Sequence, residues 1–192
     1  MSRPSRKEIE QENDYLQERQ KNFILAAGYV SEEFRKIPGI QKIVLFGSCA
    51  RPLWEEIPRF REYRRAGIEL WHEVKDVDLA VWMDDLGQLK PLQKARSRAV
   101  NRLFQEKKIG VAHHQVEVFI MEPETDRYLG RLCEFGGCPK GKEKCLEPGC
   151  GAVPFLRLHR DFSFRPEALN PEKSQLLFDC KIQKEWAIKE TG

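Results

Sequence analysis

Three short apolar segments constrain the fold of this chain more than any other feature. They span residues 41–47 (QKIVLFG), 77–83 (VDLAVWM) and 114–121 (HQVEVFIM). Each has the length of a β-strand, and the third alternates apolar and polar residues, as a half-buried strand does. A long charged segment separates the first two, and a helical segment separates the last two. The sequence therefore predicts an α/β or α+β fold, a small mixed sheet flanked by helices.

Two segments have the composition of helices. Residues 6–37 are rich in helix formers, nearly free of Gly and Pro, and followed by Pro38-Gly39. Residues 88–107 are also predicted to be helical, with an apolar stripe that should face a core: Leu92, Ala95, Ala99, Leu103 and Phe104. Residues 53–72 mix acidic, basic and aromatic residues, so we interpret them as an inserted helix or structured loop.

Length and charge limit the class of protein. A chain of 192 residues suggests one domain, or one domain with a small appendage. No apolar run approaches the roughly 20 residues that a membrane span needs, and the N-terminus lacks the apolar centre of a signal peptide. We therefore expect a cytoplasmic protein that does not enter a membrane. The net charge of +3 is too small to indicate nucleic-acid binding by itself.

Two aspartates open the second predicted strand. Asp76 and Asp78 are two residues apart, so on a strand both side chains point to the same face. Neighbouring carboxylates repel each other, and Mg²⁺ is a cation that binds one or two carboxylates together with substrate phosphates. Glu117, on the third strand, joins them if the two strands are neighbours. A third carboxylate would allow a second metal ion or activation of an attacking hydroxyl.

The first predicted strand ends at Gly47-Ser48. Glycine lets a backbone approach a ligand closely, and a helix that began at Ser48 would offer free N–H groups to a phosphate. The Ser48 hydroxyl adds a donor, and Arg51 follows one turn later. A phosphate-binding turn beside a pair of carboxylates is typical of a nucleoside-triphosphate site. The alternative is that Gly-Ser is an ordinary turn and that the aspartates are turn and surface residues.

The three elements, in this order, resemble the minimal nucleotidyltransferase family of the polymerase-beta-like superfamily. The matching stretches read VLFGSCAR, KDVDLAVW and QVEVFI, within roughly residues 40–122. The resemblance implies a nucleotidyltransferase-like core over residues 1–125. The spacer of 27 residues between Ser48 and Asp76 is about twice the usual length. Three further departures from the common Gly, Ser and Asp of the family are Pro52, Lys75 and Glu117.

The resemblance also implies a reaction. A nucleoside monophosphate would move from a nucleoside triphosphate to a hydroxyl on a small molecule, a protein or an RNA end. Asp76 and Asp78 would bind two Mg²⁺ ions, and Glu117 would ligate one of them and help to deprotonate the hydroxyl. That hydroxyl would attack the α-phosphate, and pyrophosphate would leave. The residues implied to bind the triphosphate are Gly47, Ser48 and Arg51.

Four of the six cysteines lie close together: Cys133, Cys138, Cys145 and Cys150. Disulfides are rare in a reducing cytoplasm, and four thiolates match the tetrahedral coordination of structural Zn²⁺. We interpret residues 126–192 as a zinc-binding segment with a C-terminal extension, in which metal supplies folding free energy that burial cannot. Two disulfides, unpaired thiols and an iron–sulfur site remain alternatives.

A second function is compatible with the same sequence. The fold would be retained as a scaffold without catalysis, and the zinc segment would bind nucleic acid or a protein, as an antitoxin-type component does. Binding of a nucleoside triphosphate with Mg²⁺ would distinguish the enzyme from this binding module, because a ligand that binds the native state raises the unfolding temperature.

Overall fold

The structure, a computed structural model, describes residues 5–55, 61–133, 153–158 and 162–182. Within these ranges the chain forms α-helices and β-strands, joined by loops and short 3₁₀ turns. In chain order the elements are α1 (Arg6–Phe34), β1 (Ile40–Phe46), α2 (Arg61–Arg65), β2 (Val77–Met83), α3 (Leu89–Lys107), β3 (Val116–Met121), β4 (Tyr128–Leu132), β5 (Leu156–Arg157) and β6 (Gln175–Asp179).

Helix α1 starts at a capping box. The backbone N–H of Glu8 donates to the Ser5 hydroxyl (3.3 Å), and the Ser5 N–H donates back to the Glu8 carboxylate (2.7 Å). This exchange satisfies donors that a helix start otherwise leaves without partners. The helix ends at Phe34, slightly before the predicted end at residue 37.

All six strands form one open sheet in the order β5-β4-β3-β2-β1-β6. Strands β2 and β3 are parallel, whereas every other neighbouring pair is antiparallel. Two parallel neighbours need a crossover connection, and α3 is that connection. The crossover places β2 and β3 side by side, with the residues that start each strand at the same end of the sheet.

The first face of the sheet packs against α1 and α3. The helices bury apolar residues of their inner sides here, including Phe23, Val30, Phe34, Leu92 and Leu103. The strands contribute alternate residues, as period-two geometry requires. These are Ile43 and Leu45 of β1, Val77, Leu79 and Val81 of β2, and Val116, Val118 and Ile120 of β3. This layer is the main core of the protein.

The second face of the sheet carries no long helix in the part of the chain that is described. Its apolar residues form a smaller cluster of Val44, Phe46, Ala80, Trp82, Phe119 and Met121. A segment at residues 162–169 covers this cluster, and its Phe164 ring lies 5.7 Å from Phe46 and 6.0 Å from Phe119 between centroids. Charged side chains occupy one end of this second face.

The sequence-based expectation of a mixed α+β fold with helices flanking a sheet is confirmed. The three predicted strands form as β1, β2 and β3, with bounds that differ by at most two residues from those expected. Strands β4, β5 and β6 come from the region 126–192 and pair into the same sheet, so the sheet draws on both predicted regions. Of the helices in the described ranges, none combines the length and the apolarity that crossing a bilayer requires.

Candidate functional site

The sheet register brings two of the predicted acids together. Asp78 of β2 is the direct neighbour of Glu117 of β3, and Phe46 of β1 is the neighbour of Asp78 on the other side. Residues in register on adjacent strands point to the same face, so both carboxylates lie on the second face. Asp76 lies just before β2 and is partly buried, close enough for its charge to affect Asp78. The three acids therefore share one end of this face.

The arrangement of the acids requires a glycine at position 47. Its φ of +75° lies in the left-handed region, and a Cβ built there would lie 2.2 Å from Asp78 Oδ2. Any other residue would be strained in the backbone and would also collide with the carboxylate. The close approach allowed by Gly47 therefore positions the Asp78 side chain against the end of β1.

The condition for phosphate binding by helix N–H groups, an α-helix that begins at Ser48, is not met. Gly47–Ala50 is instead a 3₁₀ helix of four residues, and Arg51 after it is extended. Such a short turn lacks the aligned peptide dipoles of a long helix, so the helix-dipole argument for phosphate binding at Ser48 does not hold. Ser48 directly follows Gly47 and offers its hydroxyl as a hydrogen-bond donor.

Two side chains hold this turn from outside it. The Gln20 amide of α1 donates to the carbonyl oxygens of Cys49 (3.0 Å) and Arg51 (2.7 Å). His72, buried in the inserted segment, has Nε2 at 3.4 Å from the Ser48 carbonyl oxygen. The Arg51 guanidinium, which the resemblance assigned to the triphosphate, lies 3.6 Å from Glu55. The turn is thus anchored to the helix layer and to the insertion.

The acids make a strongly negative environment. Burial, followed by the charges of Glu117 and Asp76, raises the pKa of Asp78 to about 7, and Arg131 opposes this rise. Burial, with a smaller effect from Asp78, raises the pKa of the Cys49 thiol to about 12. Cys49 is therefore a neutral thiol and not an activated nucleophile. An ionised Asp78 is costly in the absence of a cation, so a cation bound here is stabilising.

Arg131 is the cation that the structure supplies. Its Nη1 lies 2.6 Å from Glu117 Oε2, and its guanidinium carbon lies 4.5 Å from the ring centroids of both Phe119 and Phe162. Arg131, Gln20 and His72 were not predicted as site residues from the sequence. A lone Arg within YLGRL has no local signal of a role, because its partners come from β3 and from the 162–169 segment.

The carboxylate oxygens at the start of β2 are the type of ligand that Mg²⁺ binds. Asp76 and Asp78 are hard oxygen ligands on one face, and Mg²⁺ needs only one or two carboxylates when substrate phosphates complete its coordination. Within residues 5–55, 61–133, 153–158 and 162–182, however, no group of three or more His, Cys, Asp or Glu side chains is arranged so that it could hold a metal. Glu117, the predicted third ligand, is instead paired with Arg131. Both expected Mg²⁺ ions thus stay predictions.

Only the first of the four predicted zinc ligands lies in a described range. Cys133 follows β4, is 2% exposed, and donates its N–H to the Phe155 carbonyl (2.8 Å). Its own carbonyl accepts a hydrogen bond from Arg96 (3.3 Å). The other three predicted ligands, Cys138, Cys145 and Cys150, are outside the described residues, and the zinc site stays a prediction for all four cysteines.

Comparison with known proteins gives no further assignment. No family model matches this chain, and neither the curated proteins nor the solved structures contain a match.

Proposed function

We propose that this protein is a nucleotidyltransferase that moves a nucleoside monophosphate from a nucleoside triphosphate to a hydroxyl acceptor, with Mg²⁺ as cofactor. The observation that supports the proposal best is the register of Asp78 with Glu117 beside Gly47. The order of these residues resembles the minimal nucleotidyltransferases, and their common face satisfies the requirement that the acids lie together. The sheet flanked by helices is the scaffold that such a site would use.

Each side chain has a distinct role in the proposed reaction. Asp76 and Asp78 would hold Mg²⁺, which when bound offsets phosphate charge and favours the ionised acceptor hydroxyl. The Ser48 hydroxyl would donate to a phosphate oxygen of the triphosphate. Glu117 would also ligate the metal and would help to remove the proton of the acceptor hydroxyl as that oxygen attacks the α-phosphate, and pyrophosphate would leave. Gly47 keeps the turn close to Asp78, so most of the rate enhancement would come from positioning and charge neutralisation.

The experiment follows transfer directly. Purified protein is incubated with Mg²⁺ and each α-labelled nucleoside triphosphate, with RNA, protein and small-molecule hydroxyl acceptors, and pyrophosphate release is measured in parallel. We expect labelled acceptor and pyrophosphate in equal amounts. Asp76→Asn combined with Asp78→Asn should reduce both by at least about a hundredfold, since the metal ligands are lost. Equal turnover in this double variant would refute the proposal.

A non-catalytic binding module is the second candidate, and one observation favours it. The ion pair between Glu117 and Arg131 neutralises the third acid without a metal. In that case the unfolding temperature would not change when a nucleoside triphosphate and Mg²⁺ are added together. A nucleic-acid or protein partner, bound through the cysteine segment, would raise it instead.

For the cysteine segment we propose structural zinc, with four thiolates as ligands. The Cys133 N–H donates to the Phe155 carbonyl and the Cys133 carbonyl accepts from the Arg96 side chain, and these two bonds would hold one ligand at the end of β4. Purified protein should contain one zinc ion per chain, and Cys145→Ser should lose it. Cys180→Ser is the matched control, because Cys180 lies outside the cluster. Freely reactive thiols without stoichiometric metal would exclude this proposal.

A further inference from the structure

Arg131 occupies an unusual position on the second face. It is the register partner of Phe119 on the neighbouring strand, and only 18% of its side chain is exposed. Its guanidinium lies against the rings of Phe119 and Phe162 at equal distances of 4.5 Å. Aromatic rings hold a guanidinium by stacking and by cation–π attraction, neither of which requires a carboxylate. The position of Arg131 therefore has support that is independent of Glu117.

The charges around Arg131 are unequal. On one side stand the three acids, and the charge of Arg131 is the influence that lowers the pKa of Asp78 among them. On the other side Arg157 of β5 is the register partner of Arg131, so two arginines are neighbours there. The Glu117–Arg131 pair thus lies between the three acids and this pair of arginines. A metal–triphosphate complex has complementary charges, with a cation at one end and phosphate oxygens at the other.

Resting on the proposed function, we propose that Arg131 is a phosphate-binding residue for the triphosphate and that Glu117 holds it until that carboxylate binds a divalent metal. Guanidinium groups bind carboxylates and phosphates through the same N–H donors, so one partner can replace the other. The aromatic rings keep the guanidinium at the site during this exchange.

Replacement of Arg131 should change the affinity for a divalent metal and the affinity for the triphosphate in opposite directions. Without Arg131 the acids lose a competing cation, so a divalent metal alone binds more tightly. The triphosphate loses a charged contact, so it binds more weakly. A residue that served only to hold the fold would weaken both when removed, and this difference separates the two roles.

The experiment compares Arg131→Gln with Arg127→Gln as the matched control. Arg127 is 67% exposed and pairs with Glu122 near the same hairpin, so its loss removes the same charge and a similar ion pair. Calorimetry measures binding of Mn²⁺ alone, then of inorganic tripolyphosphate as its Mg²⁺ complex. In Arg131→Gln we expect Mn²⁺ binding about tenfold tighter and tripolyphosphate binding about tenfold weaker. The control should remain within about twofold of wild type for both.

The other results of the two binding measurements would count against the proposed role of Arg131 or against the metal site. Weaker binding of both probes, unchanged binding of both, or tighter Mn²⁺ binding with unchanged tripolyphosphate would overturn the role of Arg131. If wild type binds Mn²⁺ and Asp78→Asn does not, the metal site of the proposed function is supported even when the role of Arg131 is refuted. If wild type binds no divalent metal on this face, the proposed function and this inference fail together.

A measurement on wild type removes any dependence on the folding of a variant. The guanidinium resonances of Arg131 are followed by NMR during titration with Mg²⁺. We expect them to shift as Glu117 is released, and to shift again when tripolyphosphate is added. Resonances that stay unchanged at saturating Mg²⁺ would contradict the exchange.

Discussion

Asp78 combines partial burial with two acidic neighbours, and this combination affects stability as well as chemistry. Its pKa is raised from the ordinary 3.8 to about 7, so the folded state retains a proton that the unfolded state releases. The protonated group therefore contributes stability that is fully present below about pH 4 and is lost as the pH rises through 7. The residue proposed to bind metal makes the apo protein less stable at neutral pH.

Replacement of Asp78 tests whether ionisation of its carboxyl destabilises the metal-free protein. Asp78→Asn should stabilise the metal-free protein at pH 8, because the amide never ionises, by on the order of 2–4 kcal/mol from a shift of about three pKa units. At pH 4 the effect should be small. Denaturant unfolding at both values measures it, and Asp14→Asn, an exposed aspartate of α1, is the control. A destabilised Asp78→Asn at pH 8, or equal effects at the two values, would contradict the account.

Gly47 provides a second test at the same scale. Gly47→Ala places a methyl group against the Asp78 carboxylate, and we expect the side chain to be displaced from its position. The left-handed backbone should cost about 1 kcal/mol in addition. Gly67→Ala is a matched control, because Gly67 has a φ of +71° with no atom within 4 Å of its built Cβ.

Calorimetry with Mn²⁺ separates the two glycines. Both alanine variants should lose similar stability from the backbone, whereas only Gly47→Ala should weaken metal binding, by about tenfold or more. Equal metal binding in the two variants would show that the contact between Gly47 and Asp78 has no role in the site.

At the scale of elements, the predictable part of the fold is the part with a local signal. Strands β1, β2 and β3 are apolar runs with clear bounds, and α3 has a helical stripe long enough to serve as a crossover. A crossover that joins two parallel strands places the starts of both strands at the same end of the sheet. The sequence left open whether β2 and β3 are neighbours, and the observed register shows that they are.

The elements that were missed depend on distant partners. Strand β5 has two residues, and β4 contains Gly130, which weakens any strand pattern. Strand β6 pairs with β1, which is more than a hundred residues earlier in the chain. Arg131 could not be assigned a role for the same reason, since its position is defined by β3 and by Phe162. The turn at Ser48 also has distant partners, since Gln20 and His72 contact its carbonyl oxygens.

Gln20 connects helix α1 to the turn at the end of β1. Gln20→Ala removes both hydrogen bonds to the carbonyls of Cys49 and Arg51, so we expect a loss of about 1–3 kcal/mol. Hydrogen exchange of the amides from Ser48 to Arg51 should accelerate in parallel. Gln17→Ala is the control, because Gln17 is exposed on the same helix. Identical exchange rates in the two variants would exclude an anchoring role.

For the whole molecule, the division between the two faces of the sheet determines where chemistry can occur. The first face is filled by α1 and α3 and forms the main core. The second face is covered in its centre by residues 162–169, and its acids stand at one end with Arg131 between them and the aromatic rings. A ligand that reaches this end meets carboxylates, a guanidinium and the Gly47 turn together.

The most direct test is a crystal structure of the protein with a non-hydrolysable nucleoside triphosphate and Mg²⁺. We predict Mg²⁺ on the second face between the phosphates and the pair Asp76 and Asp78, with Arg131 moved from Glu117 to a phosphate oxygen. A triphosphate bound elsewhere, or a saturated crystal in which the acids stay unligated and Arg131 remains on Glu117, would contradict it.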